Sequence, residues 1–124
     1  MGVLVLVEHN NHTMSAATRN ILAAALELDS KPTLLVVGYQ CASVAEQAAA
    51  LGGVNKVLTI DKPVYAHQLA ESVSQLIASL GPSFSVILGA SSTYSKNILP
   101  RVAAQLDVAQ VSDVITIVDG CTIS

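Results

Sequence analysis

The sequence predicts a doubly wound α/β domain: a mainly parallel sheet with helices on both faces. Two observations predict it. Short apolar runs alternate along the whole chain with longer stretches whose apolar residues recur at helical spacing. The interior is also small and aliphatic, with 52% hydrophobic residues but 3% aromatic and 12% charged. That composition suits parallel strands buried on both faces, which read as continuous apolar runs. Right-handed crossovers between such strands place helices on both sides.

The elements follow in order. Val3–Val7 is the first strand. A polar loop, Glu8 to Met14, leads to a helix that begins near Ser15, a good N-cap, with Ala17, Ile21, Ala24, Ala25 and Leu28 on one face. Pro32 stops it, because a residue before proline avoids the helical region. Thr33–Val37 is the second strand, ended by Gly38. The second helix runs from about Ser43 to Leu51, with Gly52-Gly53 as its C-cap. Val54–Ile60 is the third strand and Asp61-Lys62-Pro63 a turn. The third helix runs from about Ala66 to Leu80 and has the clearest period, Leu69, Val73, Leu76, Ile77 and Leu80. Gly81-Pro82 stops it. Ser85–Gly89 is the fourth strand. A polar loop, Ser91 to Asn97, precedes a fourth helix carrying Ile98, Leu99, Val102 and Leu106. Val111–Val118 is the fifth strand, and Asp119-Gly120 a turn.

Bulk properties exclude several function classes. The 124 residues suffice for one domain with a real core. Net charge is −3, and the six Lys and Arg are scattered, so no basic stripe or aromatic platform suggests nucleic acid. No apolar run approaches the roughly 20 residues that span a bilayer. Val3–Val7 lacks the length and basic lead of a signal peptide, so a cytoplasmic protein, or a mature form without its presequence, is expected. Cys41 and Cys121, far apart in sequence, are expected to be reduced rather than bridged. Cys41 reads either as a thiol activated by a helix start or as a small buried residue, and the second reading is favoured.

Neither a dinucleotide G-x-G-x-x-G nor a triphosphate G-x-x-x-x-G-K-[ST] is present. His9 and His12 lie three apart in a polar loop and read as a solvated pair, not a metal site. His67 reads as a surface residue. No Ser/His/Asp or Cys/His set assembles, so no catalytic residue is assigned. The strongest candidate is the edge formed by Val86–Leu88, the loop behind it and the helix start. Strand end, small-residue loop and helix start together build the usual binding edge of an open sheet, and free N–H groups at a helix start favour an anion or a partner's acceptors. The candidate residues are Glu8, Ser91, Ser92, Thr93, Lys96, Asn97 and Arg101. Glu8 follows the first strand; it either lines a pocket, caps a helix start, or pairs with Lys96 or Arg101. Asn97 is an N-cap by type, and Pro100 fits the first turn that it would open.

The same stretch carries a family resemblance. Ser95-Lys96-Asn97-Ile98-Leu99-Pro100-Arg101-Val102-Ala103-Ala104-Gln105-Leu106-Asp107-Val108 resembles a phrase of the N-terminal domain of the electron transfer flavoprotein alpha subunit. Gln110–Val114, Val5–His9, Val44–Ala50 and Tyr65-Ala66-His67 are similar to that family too, so the resemblance covers nearly the whole chain. It implies a Rossmann-like, adenine nucleotide alpha hydrolase-like fold over residues 1–124, as the first domain of a longer alpha subunit. It also implies an electron carrier, not an enzyme. Alpha pairs with a beta subunit, and the pair carries electrons on FAD from acyl-CoA and related dehydrogenases to a membrane-bound quinone oxidoreductase. The FAD-binding motifs lie in the family's second domain, and no position here matches them, so none is expected within this chain. The beta subunit binds AMP at a comparable edge. The 91–97 loop is therefore either an interface or a vestigial nucleotide edge, and a free-standing AMP/ATP-binding module is the alternative. The family occurs in the bacterial cytoplasm and, after presequence removal, in the mitochondrial matrix.

Overall fold

A computed structural model describes residues 2–28, 31–51, 56–67, 69–80, 84–89, 93–106, 110–111, 114–118 and 121–122. The elements are β1 Gly2–Leu6, α1 Ala17–Leu28, β2 Thr33–Gly38, α2 Ala42–Ala49, β3 Lys56–Asp61, a short 3-10 turn Pro63–Tyr65, α3 Ala70–Leu80, β4 Phe84–Leu88, α4 Thr93–Leu106, β5 Gln110–Val111, β6 Val114–Val118 and β7 Cys121–Thr122. The strand order is β3-β2-β1-β4-β6-β5, with β7 paired to β6. The first four strands are parallel, whereas β6 runs antiparallel to β4. The fold class read from the sequence is the observed one.

Strand alternation sorts the core into two layers. Leu4 and Leu6 of β1, Leu35 and Val37 of β2 and Ile87 of β4 pack with Val73 and Ile77 of α3 and Ile98, Leu99 and Val102 of α4. Their neighbours Val3, Val5, Leu34, Val36 and Leu88, with Val7 just beyond β1, pack with Leu22 and Ala25 of α1 and Val44 and Ala48 of α2. A strand's period of two sends successive side chains to opposite faces, and here both faces are covered.

Several boundaries differ from the sequence reading. Helix α1 begins at Ala17, and β3 runs on through Asp61. The third helix begins at Ala70 rather than near Ala66, after a 3-10 turn at Pro63–Tyr65, so Leu69 lies ahead of α3 and is 59% exposed. Val73 and Ile77 carry the buried face instead. The single fifth strand is two, β5 and β6, paired antiparallel as a hairpin. The expected caps at Gly52-Gly53 and Gly81-Pro82 and the turn at Asp119-Gly120 lie outside the described residues.

The largest correction concerns α4. It starts at Thr93, not after Asn97, so Lys96 and Asn97 are helical and Pro100 sits in the helix interior. Asn97 is exposed and cannot be the N-cap. An interior proline costs about 3 kcal/mol. Ile98, Leu99 and Val102 are fully buried, and each such burial contributes about 1.5–3 kcal/mol. Packing therefore outweighs the proline. Ser74 of α3 accepts from Gln105 Nε2 of α4 at 3.2 Å, a polar tie between the two helices.

Candidate functional site

Strands β2 and β3 lie on one side of β1 and β4 on the other. The winding reverses between β1 and β4, and open α/β sheets bind ligands outside the carboxyl ends of the strands at such a point. Glu8 follows β1 there, and Gly89 follows β4. Glu8 is half-buried, and its Oε2 is buried without a hydrogen-bond partner among the described residues. Of the other candidates, Ser91 and Ser92 lie outside the described residues. Thr93 opens α4 and Lys96 lies within its first turn by backbone position. Asn97 and Arg101 are exposed. By backbone position, Glu8 and the start of α4 come after the adjacent parallel strands β1 and β4.

The loop after β1 is not the solvated stretch that was expected. His9 is 8% exposed, so the reading of His9 and His12 as a solvated pair fails for His9. Its Nδ1 accepts the Asn11 N–H at 2.9 Å, and its Nε2 lies 2.8 Å from the Val37 carbonyl. A nitrogen that accepts carries no proton, so the proton is on Nε2 and donates to Val37. Burial pulls the imidazole pKa below its ordinary value, partly opposed by the Val37 bond.

Asn11 extends the same attachment. It has φ 71°, a left-handed conformation that asparagine tolerates. Its side-chain oxygen accepts the Tyr39 N–H at 3.1 Å, and its Nδ2 donates to the Ala66 carbonyl at 3.1 Å. Asn10 Oδ1 accepts the His12 and Thr13 N–H groups at 3.0 and 2.7 Å, an Asx turn. On the far side, Gln47 and Ser43 of α2 both donate to the His12 carbonyl, and Gln47 Oε1 accepts the Met14 N–H. Asp61 performs a matching task at the start of α2. Its carboxylate accepts Gln40 N–H at 2.7 Å and Cys41 N–H at 3.2 Å.

Sequence reasoning missed His9, Asn11 and Asp61. The Asn10-Asn11 pair is a visible turn signal, but the His9 and Asn11 side chains reach partners 28 or more residues away and Asp61 partners 20 and 21 away, out of reach of local pattern. Cys41 is fully buried and its thiol pKa is raised, first by burial and then by the Asp61 charge. That matches the buried reading over the activated one. His67 is exposed as expected.

The chemistry available at this edge is limited. A shallow cleft of about 320 Å³ is lined by Glu8, His9, Asn10, Thr13, Met14 and Ser15. The His9 ring and the Asn11 side chain are already engaged by protein groups, so neither is available to grip a phosphate. The described residues here do not form a cradle fitted to FAD. Among the described residues no three His, Cys, Asp or Glu side chains gather to hold a metal, and no helix is long and apolar enough to cross a membrane.

Comparison with known proteins gives a consistent result. The sequence model of the electron transfer flavoprotein domain matches residues 3–122. Electron transfer flavoprotein subunit alpha of Pseudomonas aeruginosa is 49% identical over 122 residues, covering 98% of this chain and 40% of that relative. The Paracoccus denitrificans alpha subunit is 38% identical over 122 residues, again 98% of this chain and 40% of the relative. The mitochondrial alpha subunit of Dictyostelium discoideum is 35% identical over 127 residues, 96% of this chain and 36% of the relative. The chain therefore spans about two-fifths of the length of the curated relatives it matches.

Proposed function

The chain belongs to the electron transfer flavoprotein family, as the N-terminal domain of the alpha subunit, and from that membership we propose that it is the first domain of a longer alpha chain, which packs against a beta subunit. The complete pair carries electrons on FAD from acyl-CoA and related dehydrogenases to a membrane-bound quinone oxidoreductase, in the bacterial cytoplasm or the mitochondrial matrix. Residues 1–124 supply structure and subunit contact; the flavin is held by the rest of the alpha chain. The observation that carries this reading is the match to alpha subunits over nearly the whole chain but only two-fifths of each relative. The edge geometry supports it, since the His9 ring and the Asn11 side chain of the 8–15 loop are bonded to protein partners.

Within this reading the edge made by Glu8, Ser91, Ser92, Thr93, Lys96, Asn97 and Arg101 serves contact with the assembly. Arg101 is exposed on α4, where a partner's acidic group can reach it. One set of titrations tests the proposal. The full-length alpha chain co-purifies with beta and flavin, and Arg101→Glu weakens that association. AMP and ATP, added to millimolar concentration, give no heat of binding at this edge. Tight nucleotide binding abolished by Lys96→Ala would instead make the domain a nucleotide-binding module and reject the interface reading.

A further inference from the structure

We propose that His9 is an acid-released latch: its neutral ring clamps the 8–15 loop onto the carboxyl end of β2, and protonation at Nδ1 undocks that loop. The geometry carries the inference. The ring faces one donor and one acceptor, Asn11 N–H at Nδ1 and the Val37 carbonyl at Nε2. Only the neutral Nε2–H tautomer satisfies both. A second proton has one place to go, Nδ1, where it would meet the Asn11 N–H head on. The ring cannot step aside, since its Cε1 packs against Gly38 and it is 8% exposed. Protonation therefore removes an acceptor and buries a charge in one event.

The consequence reaches past one residue. Asn11 N–H is the group that loses its acceptor, and the same Asn11 ties the loop to Tyr39 and Ala66. The three attachments share one short segment, so loss of the Asn11 acceptor loosens them together, on the side of the loop away from the Gln47 and Ser43 bonds to α2. The titratable and charged groups on the segments that meet this loop are Glu8 and His12 on the loop itself, Tyr39 and Cys41 after β2, Asp61 at the end of β3, and Lys62, Tyr65 and His67 flanking the Ala66 contact. Asp61 is already engaged by the Gln40 and Cys41 amides. Between the open-state value of about 6.5 and the lower closed-state value, one proton is taken up on opening, so the open fraction rises about tenfold per pH unit lost. The device acts at the switch-point edge whether or not that edge contacts a partner.

The test uses the full-length chain. Amide exchange of segments 8–15 and 38–41 is followed by mass spectrometry from neutral to mildly acidic pH, each rate corrected by an unstructured peptide of the same sequence. The expected result is a loss of protection of about tenfold per pH unit below about 6.5, confined to those segments. His9→Gln, which retains a donor but does not titrate, flattens the profile. The wild-type protein also supports a direct measurement, in which the His9 Cε1 proton is identified by its proximity to the Gly38 α-protons. Its chemical shift should titrate below 6.5. Protection that is pH-independent, a profile shared by His9→Gln, or a His9 titration at or above 6.5 would each overturn the latch.

Discussion

Gly38 and Asn11 approach so closely that a β-carbon on Gly38 would overlap the Asn11 side-chain oxygen. His9 Cε1 would lie only 2.8 Å from the same carbon. Neither neighbour is free to retreat, because Asn11 is bonded to Tyr39 and Ala66 and His9 to Val37. Space, not backbone conformation, demands glycine here. Gly38→Ala is predicted to destabilise the protein by about 1–3 kcal/mol, the usual cost of overpacking. The midpoint of urea unfolding would show it, and an unchanged midpoint would mean that the loop docks differently.

The Asp61 carboxylate stands in for the missing side-chain cap of α2, whose own N-cap residue is Cys41. Asp61→Ala leaves the Gln40 and Cys41 amides without an acceptor and is expected to cost about 1 kcal/mol, in the range of lost N-caps. Asp61→Asn should recover only part of that stability, since the two amides bond separate carboxylate oxygens and a single amide oxygen can accept one of them. Equal losses in the two variants would refute the capping role.

Core truncation separates the buried face of α3 from the exposed residue that precedes it. Ile77 is completely buried whereas Leu69, just before the helix, is 59% exposed. Ile77→Ala should cost about 2–5 kcal/mol, and Leu69→Ala no more than about 0.5 kcal/mol. Similar shifts in thermal midpoint for the two would contradict the assigned packing.

Cys41 should resist alkylation in the folded protein and react on unfolding, followed peptide by peptide to separate it from Cys121. Burial and the nearby Asp61 charge raise its thiol pKa above 9.0. The sign follows from linkage: the unfolded thiol loses its proton first, so this contribution is complete below pH 9 and declines as pH rises beyond it. A folded-state reaction rate equal to that of a free thiol at pH 8 would refute the prediction.

How far the molecule was legible in its sequence depended on the range of the forces involved. The runs at Val3–Val7, Thr33–Val37 and Val86–Leu88 announce buried strands, because burial on both faces writes itself as unbroken apolar sequence. The start of α4 was misread because Asn97 and Pro100 have strong local preferences for a helix start, and those preferences yielded to Ile98 and Leu99 buried further on. That Glu8 follows the carboxyl end of the first strand was legible from the α/β alternation, whereas its place at the switch point rests on the strand order. The His9 and Asn11 attachments were not legible, since their partners are backbone groups of β2 and of the segment after β3, which carry no side-chain signature.

The sorting of β1 into two layers has an evolutionary corollary. Its leucines, Leu4 and Leu6, face α3 and α4, while its valines, Val3 and Val5, face α1 and α2. Exchanging one aliphatic for another of similar volume disturbs a single contact. Losing or gaining one residue in β1 would send every leucine into the valine layer and every valine into the leucine layer at once. Lineages descended from this domain can therefore vary the spelling of β1 freely among aliphatics, but insertions and deletions should be purged from it and accumulate in the connections instead.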